Sequence, residues 1–157
     1  SVPGILAKAM LADKEYQNNL PKDFRLKLKS LVVTNVMTYN NMTDVIKKAS
    51  KALDEAGIPH VLLKGHSLAV NYPFPEMRQC GDIDLYVGME NFENACNTIA
   101  SLSPIPQEED LTGSEMHIHL ELDGVTIEAH RKTTSSANKK QDKFIVSVCF
   151  LHCHKAL

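Results

Sequence analysis

The sequence has 157 residues, of which 43% are hydrophobic and 23% are charged, with a formal net charge of −2 at pH 7. These values are those of an ordinary globular chain with room for one good core, and they give no electrostatic case for binding long nucleic acids. No apolar run approaches the roughly 18–20 residues that a membrane-spanning helix needs, so we expect no membrane association.

The cysteines are scattered and suggest a reducing compartment. A chain of this size does not need disulfides to stabilise its core. The start, Ser1-Val2-Pro3, lacks the basic segment and apolar stretch of a signal peptide. We therefore expect a cytoplasmic protein with reduced thiols at Cys80, Cys96, Cys149 and Cys153.

The first third of the chain predicts helices. Good helix formers run from Ile5 to Tyr16, and Pro21 ends that run. From about Lys22 to Ala56 the apolar residues recur mostly at spacings of three and four, as on one face of a helix. Asn40-Asn41 leaves open whether this segment is one long helix or two shorter ones. Gly57-Ile58-Pro59 is a clear helix stop.

Short apolar runs then replace the helical spacing. His60–Lys64 predicts a buried strand that ends at Gly65, followed by a short helix from His66 to Asn71. Asp82–Val87 predicts a second strand and Glu90–Leu102 a further helix.

A hairpin is the next predicted element. Met116–Leu122 and Val125–Arg131 flank Asp123-Gly124, and a type I′ turn needs positive φ at both central positions, which suits this pair. Thr133–Lys143 is polar and predicts a solvated loop. Phe144–Leu151 is either one more strand or a helix fragment.

Two carboxylates alternate along the second predicted strand. Because alternate residues of a strand share a face, Asp82 and Asp84 lie side by side, opposite an apolar face. Such like charges repel unless a cation lies between them or one is protonated. Paired hard oxygens suit Mg²⁺. An Asp-x-Asp pair alone is weak evidence, since a solvated strand face carries the same pattern.

The hairpin has one polar face rich in titratable groups. If Asp123-Gly124 is the turn, His119 pairs with Glu128, and the other members of that face follow from strand parity. Such a surface either lines a site or simply faces water. Its predicted members are His117, His119, Glu121, Thr126, Glu128 and His130.

Three stretches in this order resemble a known family: GIPHVLLKG at 57–65, YPFP at 72–75 and RQCGDIDLYV at 78–87. The family is that of bacterial nucleotidyltransferases of the polymerase-β-like superfamily, with the pattern LLKG…YP-P…R-x-x-GDIDL-V. The resemblance covers about residues 42–131. It implies an α/β (α+β) fold with a mixed β-sheet flanked by helices. The helices predicted in the first third of the chain then form an N-terminal helical segment before this nucleotidyltransferase core.

The same resemblance implies a set of metal ligands. Asp82 and Asp84 match the two metal-binding aspartates, and Glu128 matches the third carboxylate, with Glu121 as the fallback. The expected cofactor is Mg²⁺, two ions with bound nucleotide, with Mn²⁺ as a substitute. His130 is interpreted as a partner or base beside the ligands, or as a plain surface histidine.

Phosphate contacts are implied next to these ligands. Gly65 and Ser67 match the turn that approaches the nucleotide phosphates, although His66 separates two residues that are adjacent in many superfamily members. Lys64 and Arg78 are candidate phosphate contacts, and a strand-end lysine in solvent is the alternative for Lys64. Arg78 is the stronger candidate because guanidinium binds phosphate bidentately.

The resulting hypothesis is two-metal nucleotidyl transfer from a nucleoside triphosphate to a hydroxyl acceptor that the sequence does not identify. We predict a helical segment at 1–56 that packs on a core at 57–131, then a polar loop and tail at 132–157. Because relatives in this family are usually longer, we expect a truncated chain.

Two alternatives remain at this point. One is a catalytically silent relative that serves as a binding or antitoxin-like partner. The other is a zinc-binding module, since His117, His119 and His130 share a face and His152-Cys153-His154 follows near the end. Against zinc, the chain has no Cys-x-x-Cys pair.

Overall fold

A computed structural model describes residues 2–104, 117–133, 140–141 and 144 of the chain. The predicted loop at 133–143 and the undecided segment at 144–151 lie almost wholly outside these residues. Cys149, Cys153 and the histidines at 152 and 154 also lie outside them.

Three helices form the N-terminal part: α1 (Val2–Ala12), α2 (Lys14–Asn19) and α3 (Lys22–Glu55). The predicted single run to Tyr16 is wrong, because Asp13 leaves the helical conformation and its carboxylate accepts a 3.0 Å hydrogen bond from the amide of Tyr16. This is an N-cap, which satisfies an amide that the new helix cannot pair. α3 continues through positions 40 and 41 without a break, so this segment is one long helix and not two shorter ones.

The rest of the described chain alternates short strands and helices. After Gly57 come β1 (Val61–Leu62), α4 (His66–Ala69), a 3₁₀ turn (Pro75–Met77), β2 (Asp82–Tyr86), α5 (Phe92–Ala100), β3 (His117–Leu122) and β4 (Val125–His130). The predicted elements are present but mostly shorter at their ends. β1 is the clearest case, since two residues replace the five that the apolar run predicted.

In the described part of the chain the strands form one mixed sheet in the order β1-β2-β4-β3. β1 lies antiparallel to β2, β2 is parallel to β4, and β4 is antiparallel to β3. The hairpin pairing is confirmed: His119 lies opposite Glu128, and both Asp123 (φ 51°) and Gly124 (φ 76°) have the positive φ of the predicted turn. Helices together with a mixed sheet confirm the predicted fold class.

One face of the sheet is buried under helices α3 and α5. Apolar side chains of β2, β3 and β4 pack there with Leu53 of α3 and Ile99 of α5. The polar residues of the same strands therefore point to the opposite face, because successive strand residues alternate in direction. The strand residues of this core are Ile83, Leu85, Ile118, Leu120, Leu122, Val125, Ile127 and Ala129.

The N-terminal helices hold the loop that leads into β2. Gly4 of α1 lies so close to Asn35 of α3 that an added Cβ would stand 2.5 Å from its amide nitrogen. Lys8 forms an ion pair with Glu76 of the 3₁₀ turn, and Gln79 donates a 3.2 Å hydrogen bond to Asn35. No helix in the described ranges combines the length and the apolar character needed to cross a membrane.

Candidate active site

The carboxylates of β2 and β4 come together through the parallel pairing of these strands. Asp82 lies opposite Thr126 and Asp84 lies opposite Glu128. Because the paired residues of adjacent strands point to the same face, Glu128 stands beside the Asp-x-Asp pair. The geometry thus brings the three predicted carboxylates to one face of the sheet.

Asp84 is the most deeply buried of the three, with only 1% of its surface exposed. Its Oδ1 accepts hydrogen bonds from Lys64 Nζ at 2.9 Å and from His130 Nε2 at 3.0 Å. Burial alone would raise the pKa of Asp84, but these two hydrogen bonds outweigh it and hold the pKa below its ordinary value. Asp84 therefore lies on the polar face that strand parity predicted, but it is buried there as an ionised carboxylate.

The second oxygen of Asp84 gives the site its most informative feature. Oδ2 is buried and has no hydrogen-bond partner among the described residues. A buried charged oxygen without a partner is costly, so such atoms call for an explanation in the chemistry of the site. A divalent cation would supply the missing interaction.

Glu128 lies between two histidines. Its Oε2 is 3.4 Å from Nε2 of His130, and its Oε1 is 3.2 Å from Nε2 of His119. His130 Nε2 thus lies between the carboxylates of Asp84 and Glu128 and forms its hydrogen bond with Asp84. His130 is 7% exposed, which excludes the plain surface histidine that the sequence left open.

Lys64 reaches the site from the segment just after β1. Its side chain is 60% exposed, yet its ammonium group meets the buried Oδ1 of Asp84. The hydrogen bond to Asp84 raises the pKa of Lys64, and the nearby charges of Asp82 and Glu128 act in the same direction. The lysine is consequently a permanent cation at the mouth of the site rather than a lysine pointing only into solvent.

The turn between β1 and α4 depends on a glycine. Gly65 has φ 61° and ψ −109°, a conformation that side-chain-bearing residues rarely adopt. A Cβ at this position would meet the Asp82 carbonyl and the Cys80 sulfur at 3.7 Å, an ordinary contact, so the constraint is the backbone conformation itself. Ser67 is buried, and both its amide and its hydroxyl donate to the Lys64 carbonyl at 3.3 Å.

Arg78 braces this turn. Its Nε donates to the Gly65 carbonyl at 2.9 Å, and one terminal nitrogen donates to the Tyr72 hydroxyl at 2.9 Å. The guanidinium carbon also lies 5.2 Å from the centre of the Tyr72 ring. Arg78 thus supports the turn at Gly65, a role that the sequence did not predict.

His66 fills the position that separates Gly65 from Ser67. Its ring stacks on Tyr39 of α3 with centroids 4.4 Å apart, and Nε2 lies 3.1 Å from the Thr43 hydroxyl. The Thr43 hydroxyl donates its one proton to the Tyr39 carbonyl at 2.8 Å, so it accepts from His66 Nε2. These contacts connect the turn to the long helix α3. In the sequence, the only signal for them was the position of His66 next to Gly65.

Two groups of side chains on this face have the spacing of metal ligands. One is Asp84, Glu128 and His130; the other is His117, His119 and Glu128. In each group the ligand atoms lie within 4.8 Å of one another. Asp82 belongs to neither group, although it shares the face by register. Glu121, the fallback ligand, is exposed and accepts a hydrogen bond from Thr126.

Comparison with known proteins adds the family. A family described as "Uncharacterised nucleotidyltransferase" matches residues 5–151, which is most of the chain. No curated protein and no solved structure matches it significantly. Because the family match spans the helices, the sheet and the carboxylate face, the chain belongs to this family of uncharacterised nucleotidyltransferases.

Proposed function

We propose that the chain is a nucleotidyltransferase of the polymerase-β-like superfamily that transfers a nucleoside monophosphate from a nucleoside triphosphate to a hydroxyl acceptor. The observation that carries the proposal is the register that sets Glu128 directly beside Asp84 on a parallel neighbouring strand. The Asp-x-Asp pair and a third carboxylate on one sheet face are the ligand set that the resemblance implied. Family membership supports the reaction class.

The proposed metal ligands are Asp82, Asp84 and Glu128, and the proposed cofactor is two Mg²⁺ ions, with Mn²⁺ as a substitute. Hard carboxylate oxygens suit these ions, and the buried Oδ2 of Asp84 without a partner fits a cation. When bound, Mg²⁺ supplies charge neutralisation at phosphate oxygens and lowers the pKa of a coordinated hydroxyl. In the reaction, the acceptor hydroxyl loses its proton to water, a bond forms between its oxygen and the α-phosphorus, the α–β bridging P–O bond breaks, and pyrophosphate leaves.

The other side chains of the site have supporting roles in this proposal. The ammonium group of Lys64 leaves Asp84 and binds a phosphate oxygen of the nucleotide. The exposed side chain of Lys64 has room for this movement. His130 holds the carboxylates of Asp84 and Glu128 in one orientation through Nε2. Arg78 and Gly65 shape the turn against which the phosphates rest, and Ser67 supports it through the Lys64 carbonyl.

Nucleotide binding tests the proposal. We expect wild-type protein to bind nucleoside triphosphate in the presence of Mg²⁺, and Asp82→Asn and Asp84→Asn to bind it at least about tenfold more weakly, a loss of about 1.4 kcal/mol. Asp23→Asn, which changes an exposed carboxylate of α3, is the matched control and should bind as wild type does. Circular dichroism of each variant separates lost binding from lost folding.

The results also separate turnover from silent binding. Mg²⁺-dependent binding with pyrophosphate release on a panel of hydroxyl acceptors supports the transferase, whereas binding without release on any acceptor indicates a catalytically silent nucleotide-binding protein. Equal nucleotide binding by wild type and both folded aspartate variants would remove the proposed metal site.

A further inference from the structure

A second ligand group lies on the same sheet face, next to the proposed magnesium ligands. His117 and His119 alternate along β3, so both point to the polar face. Their rings are stacked, with centroids 5.3 Å apart and planes inclined by 22°. Two imidazoles are thus held side by side by the strand, and the ring of His117 also contacts that of His130, with centroids 5.0 Å apart.

Glu128 completes this group from the neighbouring strand. It lies directly opposite His119 in the β3–β4 register, and its Oε1 is 3.2 Å from His119 Nε2. One ligand atom from each of His117, His119 and Glu128 lies within 4.8 Å of the others. The three donors are therefore close enough together to bind a single ion.

The chemistry of the donors differs between the two groups that share Glu128. Asp84, Glu128 and His130 offer two carboxylates, which favour a hard cation. His117, His119 and Glu128 offer two imidazoles and one carboxylate, and imidazole favours Zn²⁺, Co²⁺ and similar ions. Three protein ligands with the remaining position left to water is a common arrangement for such ions.

We propose that His117, His119 and Glu128 bind one divalent transition-metal ion of the Zn²⁺ class, at a site that lies beside the proposed magnesium site and shares Glu128 with it. His119 is 60% exposed, so an ion can enter from solvent without opening the core. On binding, the ion takes the place of any proton between His119 Nε2 and Glu128 Oε1, and that proton is released to water. The site follows from the geometry of β3 and β4 and does not depend on nucleotidyl transfer.

Co²⁺ is the probe, since it occupies zinc sites and absorbs visible light. We expect the reduced 157-residue chain to take up one equivalent of Co²⁺. Its visible bands should be those of a site with nitrogen and oxygen ligands, without the near-ultraviolet charge-transfer band of cysteine ligation. Competition with Zn²⁺ should bleach the bands. Isothermal titration with Zn²⁺ alone gives an independent affinity.

Variants assign the ligands. His119→Gln and His117→Asn should each weaken Co²⁺ binding by more than about tenfold. Even the loss of a residue that only hydrogen-bonds to a metal ligand typically lowers metal affinity by about tenfold or more. His60→Gln, in which a histidine that belongs to neither group is changed, is the matched control and should bind as wild type does. The double variant His152→Gln/His154→Gln should likewise retain binding, which excludes the C-terminal histidines as the source.

The outcomes also separate this site from the proposed function. Asp84→Asn should retain Co²⁺ uptake while it loses Mg²⁺-dependent nucleotide binding, so either proposal can fail alone. Absence of stoichiometric Co²⁺ uptake by wild type would overturn the transition-metal site. So would unchanged affinity in folded His119→Gln and His117→Asn, or loss of binding in the His152→Gln/His154→Gln variant.

Discussion

At the residue scale, the site is built around a buried charge. A carboxylate as enclosed as Asp84 is not a stabilising choice, because an apolar residue of similar size would avoid the desolvation cost. Lys64 and His130 compensate that cost at one oxygen only, and Oδ2 remains without a partner among the described residues. A buried charge that lowers the stability of the fold in this way is typical of a residue with a function.

His66 is the second residue whose environment departs from the ordinary. It is 7% exposed, and while Nε2 reaches Thr43, its Nδ1 is buried without a hydrogen-bond partner in the described ranges. Burial lowers the pKa of His66 below 6.5, because desolvation disfavours the charged ring. The folded protein therefore favours the neutral form of His66.

This neutral histidine predicts acid sensitivity. As the pH falls through about 6.5, the unfolded chain binds a proton at this residue that the folded chain refuses until its lower pKa is reached. The free energy of unfolding should therefore fall across this window, by an amount that His66→Gln reduces. Urea unfolding at pH 7.5 and 5.5 measures the difference, with His60→Gln as control. An unchanged pH difference in His66→Gln would contradict the assignment.

At the element scale, the hairpin aligns the polar face. The turn at Asp123 and Gly124 sets the register, and a slip of one residue would turn Glu128 and His130 into the core. Both turn residues have positive φ, which Gly124 adopts without strain. Two residues far from the chemistry thus decide where the third carboxylate points.

Two glycines offer a matched test of that turn. A Cβ would meet no atom within 4 Å at Gly124 or at Gly81, but only Gly124 has a positive φ, of 76°. Gly124→Ala should therefore lower the free energy of unfolding by about 1 kcal/mol through backbone strain alone. Gly81→Ala should stay within about 0.5 kcal/mol of wild type. Urea unfolding followed by far-ultraviolet circular dichroism measures both, and equal losses would contradict the role of backbone strain.

At the scale of the whole molecule, α3 connects the N-terminal helices to the sheet. Residues in its C-terminal half, such as Val45, Ile46 and Leu53, share one core with the strands. Its N-terminal half packs against α1 and the 3₁₀ turn, through contacts such as those of Asn35. One helix therefore connects the loop that carries Arg78 to the sheet that carries the carboxylates. The predicted boundaries of the segments, at residues 56 and 131, stay a prediction.

Two leucines of this helix test the connection. Leu53 is fully buried, whereas Leu26 is 54% exposed. Leu53→Ala should lower the free energy of unfolding by about 2–5 kcal/mol, because it leaves a cavity in the shared core. Leu26→Ala should change it by no more than about 0.5 kcal/mol. Chemical unfolding monitored by circular dichroism gives both values, since the chain has no tryptophan. Similar losses in the two variants would place the core elsewhere.

The sequence alone determined what local patterns encode. The parity of β2, the Asp-Gly turn and the pairing of His119 with Glu128 could all be read from it, because strand direction and turn conformation depend on neighbouring residues. Strand parity also made the carboxylates at 82, 84 and 128 candidate metal ligands, and the family resemblance supported the same residues. Element ends, such as those of β1 and α1, were less well predicted, because capping by Asp13 and the limits of pairing are decided by individual hydrogen bonds.

Which of these groups meet depends on how the strands and helices pack. The parallel pairing of β2 with β4 places Glu128 opposite Asp84, although 44 positions separate them in the chain. The burial of Asp84, the approach of Lys64 and the bridging position of His130 depend on side chains brought in from several elements. Strand order and burial follow from the packing of the whole chain, so no local pattern contains them.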